Sequence, residues 1–376
     1  MKRLMMLLVA GILLVPVKGW ASGPPSGEGW TSIRSAAGVT MYQKGSDVVQ
    51  IVRLNQGARM KFYQVQDQYN SDYFVRYPLV TAWAGFQELY ENYFSFCNGQ
   101  FFRGTSPTTD LSFSLRANDV FLTGGFDMGS YPGEKMGLWN WGDQCLVQPA
   151  TDNPLQLLNS SAPDGIIGLN TTANKSPNST VGRTFLACAD PIGNGHYNTI
   201  LIFNSSGSTQ SHAASVLTSF GGAAAMMLDG GGSTQLRVPG TTLIDGDNRT
   251  LPQFIGVLSA DVAAPSVPTP VTVTPTGCSQ TNSFTFNWSP STDTGGSGLA
   301  GYKWQINNGS ISTRTTTSVS TTAPSSGSYT FKVWAYDNAN NESGVSSVGF
   351  WYELPDVTPP SVPSSLSVNP AGCSQT

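Results

Sequence analysis

The sequence predicts an α+β N-terminal domain of catalytic type, a mixed sheet with helices, followed by an all-β sandwich. Two observations predict it. Within the first 260 residues, apolar runs that suit buried strands flank a stretch with helical spacing. Beyond residue 260, a Pro-rich segment and a cysteine-bearing motif recur after 95 residues, and short alternating runs lie between the copies. A chain of 376 residues is also too long for one compact domain.

The chain opens as a secretory signal peptide over residues 1–21. Lys2-Arg3 form a basic start, Leu4–Val17 are apolar, and Gly19-Trp20-Ala21 offers a small-residue cleavage site. The apolar run is too short to span a bilayer comfortably, and no later segment approaches spanning length. The mature protein is therefore expected to be secreted, periplasmic or at the cell surface, with no transmembrane segment after removal of the signal.

Residues 28–260 form one domain-sized block. Val48–Leu54 reads as an early strand, and Ile200–Phe203 and Ala223–Leu228 read as buried strands. Between the last two, Ala213, Val216, Leu217 and Phe220 fall at helical spacing, with Ser211 as the expected cap and Gly221-Gly222 as the stop. The local unit is strand–helix–strand, and its last strand runs into Asp229.

Three clusters in this block carry chemistry. Leu228-Asp-Gly-Gly-Gly-Ser places a carboxylate at a strand end before three glycines, whose backbone can approach a ligand closely or form an anion nest. An ordinary Gly-rich hairpin has the same pattern. It is not a phosphate-binding loop of the Gly-Lys-Ser/Thr kind. Gly182-Arg183-Thr184 offers a guanidinium for a phosphate, or a surface arginine at the start of a strand. Cys97-Asn-Gly-Gln-Phe-Phe102 combines a turn with paired aromatics, which stack on a sugar or simply fill a core.

Cys97, Cys145 and Cys188 share this block, so one disulfide is expected among them, with three pairings open. Cysteine spacing and a total of two histidines do not suit a zinc centre.

A stiff Pro-rich linker, Ala264-Pro-Ser-Val-Pro-Thr-Pro, follows. Asp261-Val-Ala-Ala-Pro-Ser-Val-Pro matches Asp356-Val-Thr-Pro-Pro-Ser-Val-Pro, and the motif around Cys278 matches that around Cys373. Across these segments 13 of 21 aligned positions are identical, so residues 261–355 are one copy of a module and 356–376 begin a second. Strands are expected over 283–288, 301–306 and 329–336, which implies an immunoglobulin-like sandwich. The second copy is too short to fold as given and is expected to be extended or disordered.

Composition excludes some functions. Charged residues make up 11%, about half the usual share, and the 19 basic residues form no cluster for a nucleic-acid backbone. Loss of the leader leaves 16 basic against 23 acidic residues, a net charge of −7. Long-range attraction to anionic polymers is not expected.

Taken in order, Asn98-Gly-Gln-Phe-Phe, Gly182-Arg-Thr and Leu228-Asp-Gly-Gly-Gly-Ser resemble the phosphodiester glycosidase family over roughly residues 38–258. Gln100 stands where the family usually has a second glycine. The Pro-rich lead-in, Trp288 and the Tyr329–Tyr336 strand resemble bacterial fibronectin type III-like repeats. The first resemblance implies hydrolysis of a sugar-1-phosphodiester, on an N-acetylglucosamine-type substrate or a cell-surface glycan phosphodiester. It implies catalytic roles for Asp229 and Arg183, and substrate contacts from Asn98, Thr184, Gly230, Gly231, Gly232 and Ser233. Asp229 is read as nucleophile, general base or ligand to a bound divalent cation. Asp127 and Asp190 are weaker second carboxylates, each favoured as a turn residue. No organic cofactor is expected. The alternative reading is a non-catalytic, glycan-binding or adhesive surface protein.

Overall fold

The computed structural model describes residues 23–104 and 106–365. The expected signal peptide lies outside the described residues. The chain divides into two compact units at Ala263/Ala264.

The first unit is built on two sheets. The larger has eleven strands. Its main path runs Thr31–Ala36, Val39–Lys44, Asp47–Arg53, Thr199–Ser208, Val181–Ala189, Gly222–Met227, Asp164–Asn170, Lys135–Asn140, Cys145–Pro149. The smaller runs Thr241–Ile244, Leu236–Val238, Tyr93–Asn98, Gln253–Leu258, Arg59–Gln64. Neighbouring strands in both sheets pair antiparallel.

These antiparallel sheets correct the expected α+β class with its mixed sheet. Strands take 43% of the structure and helices 8%, so it is nearly all-β. The strand–helix–strand unit does form. Thr199–Ser208 and Gly222–Met227 flank Val181–Ala189, and helix α2 (Gln210–Ser219) connects them. Both pair antiparallel with the strand between them. The physical reason for the correction is what covers each sheet. Leu186, Ile200, Ile202 and Met226 of the larger sheet share one core with Phe62, Ile255 and Val257 of the smaller. The alternate residues Phe185, Leu201 and Phe203 pack with Ala213, Val216 and Leu217 of α2. Strands buried on both faces read as continuous apolar runs, which also suit the buried strands of helix-covered sheets. Here one face is covered by another sheet.

Helix α2 is capped two residues before the expected Ser211, at Thr209. The Thr209 hydroxyl accepts from the His212 N–H, and buried Gln210 donates to the carbonyls of Thr171 and Ala173. Helix α1 (Leu79–Leu89) packs Trp83 and Phe86 on Phe96 and Phe254 of the smaller sheet. Gly256 supplies the room: a Cβ there would overlap the Phe86 ring.

The disulfide joins Cys145 to Cys188. Closing that interval of 43 residues restricts the unfolded chain by roughly 3–5 kcal/mol. Cys97 remains a buried thiol, pushed up to about 12 by desolvation and therefore inert near neutral pH.

The second unit is a two-sheet sandwich. One sheet runs Val271–Thr274, Phe284–Trp288, Ser318–Thr321, and the other Cys278–Ser279, Ser346–Tyr352, Gly327–Asp337, Leu299–Ile306, Ser312–Arg314. Phe284, Phe286 and Trp288 of the first face Tyr302, Phe331 and Phe350 of the second across one core. Phe286 and Phe331 stack with ring centroids 4.0 Å apart. Residues 356–365 are exposed and carry no strand; the rest of the second copy lies outside the described residues.

Gly256→Ala is expected to destabilise the first unit by about 1–3 kcal/mol through overpacking at Phe86. Thermal or denaturant unfolding of the variant checks this; an unchanged midpoint would contradict the tight contact.

Candidate functional site

The three clusters noted in the sequence meet where the two sheets come together. Asn98 ends a strand of the smaller sheet, and Thr184 lies in the larger. The Thr184 hydroxyl donates to Asn98 Oδ1 at 2.7 Å, and the Gln235 N–H donates to the same oxygen at 3.2 Å. Asn98 Nδ2 donates to the Asp229 carbonyl at 2.7 Å. The backbone then steps from one sheet to the other. Leu228 N–H donates to Thr184 O at 2.9 Å, and Asp229 N–H donates to Gly99 O at 3.1 Å. Chain 98–99 is thus no hairpin turn; it is a strand end stapled to the loop that carries Asp229.

Asp229 stands partly buried on the floor of a cleft of ≈ 390 Å³. Its Oδ1 accepts from the Gly230 N–H at 2.9 Å. Desolvation pushes its pKa up to about 6. Hydrogen bonds from Ser233 and Gly230, then the charges of Arg249 and Lys175, act in the opposite direction. Among the described residues Asp229 has no ion pair, and it belongs to no group of three metal-ligating side chains.

The glycines serve close packing. A Cβ on Gly182 would overlap the Gly231 carbonyl, one on Gly230 would meet the Gly182 carbonyl at 2.7 Å, and one on Gly232 would overlap the Asp247 carboxylate. Gly231 adopts φ +61°, which favours glycine. The expected anion nest is therefore incomplete: the Gly230 N–H is already committed to Asp229.

The guanidinium of Arg183 is buried and committed. Nε donates to Ser208 O at 3.2 Å, Nη1 to Lys175 O at 2.9 Å, and Nη2 to Ser176 O at 2.6 Å and Ser179 O at 3.2 Å. Desolvation lowers its pKa. It lines the cleft, but its hydrogen bonds hold the 175–179 loop. Lys175, on that loop, also lines the cleft. Its ammonium lies 4.9 Å from the Phe101 ring centre and 4.8 Å from that of Tyr131, an aromatic seat. No carboxylate pairs with it among the described residues.

Other expected site residues take different places. Asn98, Thr184 and Ser233 are 1%, 0% and 0% exposed, so they build the site's frame and do not reach its surface. Ser233 Oγ accepts from Arg249 at 3.3 Å. Gly230 and Gly231 line the Asp229 cleft, whereas Gly232 lines a neighbouring one. Asp127 accepts from the Ser130 hydroxyl, and Asp190 accepts the N–H groups of Gly193 and Gly195; each organises its own turn. Sequence reasoning missed Lys175 and Arg249. The one available signal was scarcity, since only 19 basic residues occur in the chain.

No protein-family model matches the chain. Endoglucanase B of Cellulomonas fimi is 38% identical over 117 residues, which are 29% of this chain and 11% of that protein. The chain thus spans about a tenth of the length of that curated relative. Among solved structures, the catalytic domain of zebrafish N-acetylglucosamine-1-phosphodiester alpha-N-acetylglucosaminidase is 12% identical at a TM-score of 0.42, covering 61% of this chain and 81% of that one. The fibronectin(III)-like modules of Clostridium thermocellum CbhA are 10% identical at a TM-score of 0.21, covering 61% of this chain and 92% of that one. No helix among the described residues is long and apolar enough to cross a membrane.

The raised pKa has a consequence for stability. A carboxyl whose pKa is higher in the folded than in the unfolded chain favours folding when protonated. Its cost is present above about pH 6 and disappears below about pH 4. Asp229→Asn is therefore expected to stabilise the protein at pH 7 by about 1–3 kcal/mol, discounted for the exposed side of the carboxylate, and not at pH 4. Denaturant unfolding at the two pH values measures this; equal effects at both would contradict the assignment.

Proposed function

We propose that the protein is a secreted hydrolase that cleaves sugar-1-phosphodiester bonds, with Asp229 as the carboxylate at the anomeric carbon. One observation carries the reading. Among the described residues, Asp229, with its pKa raised to about 6, is the sole carboxylate lining a cleft whose other charged lining groups are the cations Lys175 and Arg183. A phosphodiester needs a cation beside it, and its hydrolysis at the sugar carbon needs a carboxylate. The order of the Asn98, Arg183 and Asp229 motifs, which resembles the phosphodiester glycosidases, supports the same reading.

In this proposal Lys175 binds the phosphate. Its ammonium is seated on two rings and free of any acidic partner among the described residues. Arg183 is a positioning residue that fixes the carbonyls of Lys175, Ser176 and Ser179. Water adds to the anomeric carbon while the bond from that carbon to the phosphate oxygen breaks, its electrons leaving with the phosphomonoester. Phosphate is a good leaving group, so a strong acid is not required. Asp229 acts ionised, as base towards the water or as nucleophile before it. A silent glycan binder has little use for a carboxylate without an ion-pair partner among the described residues in a cleft it shares with two cations, which favours the enzyme.

The test is sugar release from an N-acetylglucosamine-1-phosphomethyl ester by the full chain. kcat/KM is expected to rise about tenfold per pH unit up to about pH 6 and then level off, as one essential ionised group requires. Asp229→Asn should abolish turnover by about a thousandfold or more while remaining folded. Lys175→Met should chiefly raise KM. No sugar release across a panel of 1-phosphodiesters, or full activity in Asp229→Asn, would sink the proposal.

A further inference from the structure

A second cleft of ≈ 490 Å³ lies beside the first, and the two share Val181 and Gly231 as lining residues. Both volumes fall in the roughly 300–1,000 Å³ range of small-ligand pockets. Their charges are opposite. The charged residues lining the second cleft are Asp245 and Asp247, both exposed. Among the described residues, no hydrogen bond or ion pair engages either carboxylate. The turn that carries them is fixed to the Asp229 loop, because Asp247 N–H donates to Gly232 O at 3.1 Å and Gly232 leaves the space that the Asp247 carboxylate occupies. Val181, Leu243 and Ile244 add apolar surface. Thr234, another lining residue, is wholly buried, and its hydroxyl has no partner.

We infer that this second cleft is a subsite for a neutral sugar unit, so that the substrate extends at least one residue beyond the sugar-1-phosphate. The inference rests on the phosphodiester reading of the Asp229 cleft and deepens it. Carboxylates accept hydrogen bonds from sugar hydroxyls, and apolar side chains pack on the C–H face of a sugar ring. The two carboxylates repel a phosphate, so the anionic end is directed to Lys175 and the neutral end to Asp245 and Asp247. A divalent cation fits less well. Calcium takes six to eight oxygens, and Asp245 and Asp247 belong to no group of three ligating side chains among the described residues.

The experiment uses the full chain and the doubly substituted variant Asp245→Asn/Asp247→Asn. Calorimetric titration with N,N′-diacetylchitobiose reads binding without any turnover. Hydrolysis of a mono- and a disaccharide-1-phosphodiester reads the subsite in action. The expected result is that the variant binds the disaccharide about tenfold more weakly. KM for the longer phosphodiester should rise about tenfold, and that for the shorter should stay within about twofold. Three results would overturn the subsite: no disaccharide binding by the unaltered protein, equal binding by the variant, or tight calcium binding that the variant loses. Binding lost in the variant, with neither phosphodiester cleaved by the unaltered protein, would uphold the subsite and refute the hydrolase reading.

Discussion

The buried side chain of Asn98 is the tie on which the site depends. It is 1% exposed and lies where the two sheets of the first unit meet. An amide buried there is tolerated only if its groups find partners. Its oxygen takes the Thr184 hydroxyl and the Gln235 N–H, and its nitrogen holds the Asp229 carbonyl. One residue therefore fixes a strand of each sheet and the backbone of the candidate catalytic carboxylate. The short step from Leu228, bonded to the larger sheet, to Asp229, bonded to the smaller, is held from the side by that tie.

From this frame follows a division between residues that hold and residues that face the cleft. Asn98, Thr184, Ser233 and the guanidinium of Arg183 are spent on protein partners, and they leave the half-buried Asp229 and Lys175 to line the cleft. Arg183 acts at one remove. Four carbonyls converge on it, three of them from the loop that carries Lys175. A lysine in its place could not span them with a single ammonium. Glycines 182, 230 and 232 allow the loops to approach within backbone contact, and the same packing sets the second cleft against the first.

Part of this was legible in the sequence. A carboxylate at the end of an apolar run, followed by three glycines, marked Asp229 and its loop as a place where backbone comes close to a ligand. The closely approaching partner, however, is the chain itself at Gly182. Motif residues near Asp229 were read as ligand contacts because sequence proximity cannot separate a side chain that points at a ligand from one that supports its neighbour. Lys175 and Arg249 carried no local signal, since folding alone brings them near Asp229. The fold class was misread for a related reason. Apolar runs announce strands buried on both faces, yet do not say whether helices or a second sheet covers them. The alternating runs of the sandwich, half-buried and separated by Gly-, Ser- and Asn-rich turns, left less room for ambiguity. The disulfide pairing depended on strand register that three spacings cannot supply.

The central claim is that Asp229 is a carboxylate of raised pKa facing an anion-binding cleft. Its ionisation in the full chain, followed by carbon NMR and assigned by loss of the signal in Asp229→Asn, tests this most directly. The account predicts titration near pH 6, moving upward when dimethyl phosphate is added, because a neighbouring anion disfavours the charged form. Titration near the ordinary value of about 4, indifferent to dimethyl phosphate, would contradict it.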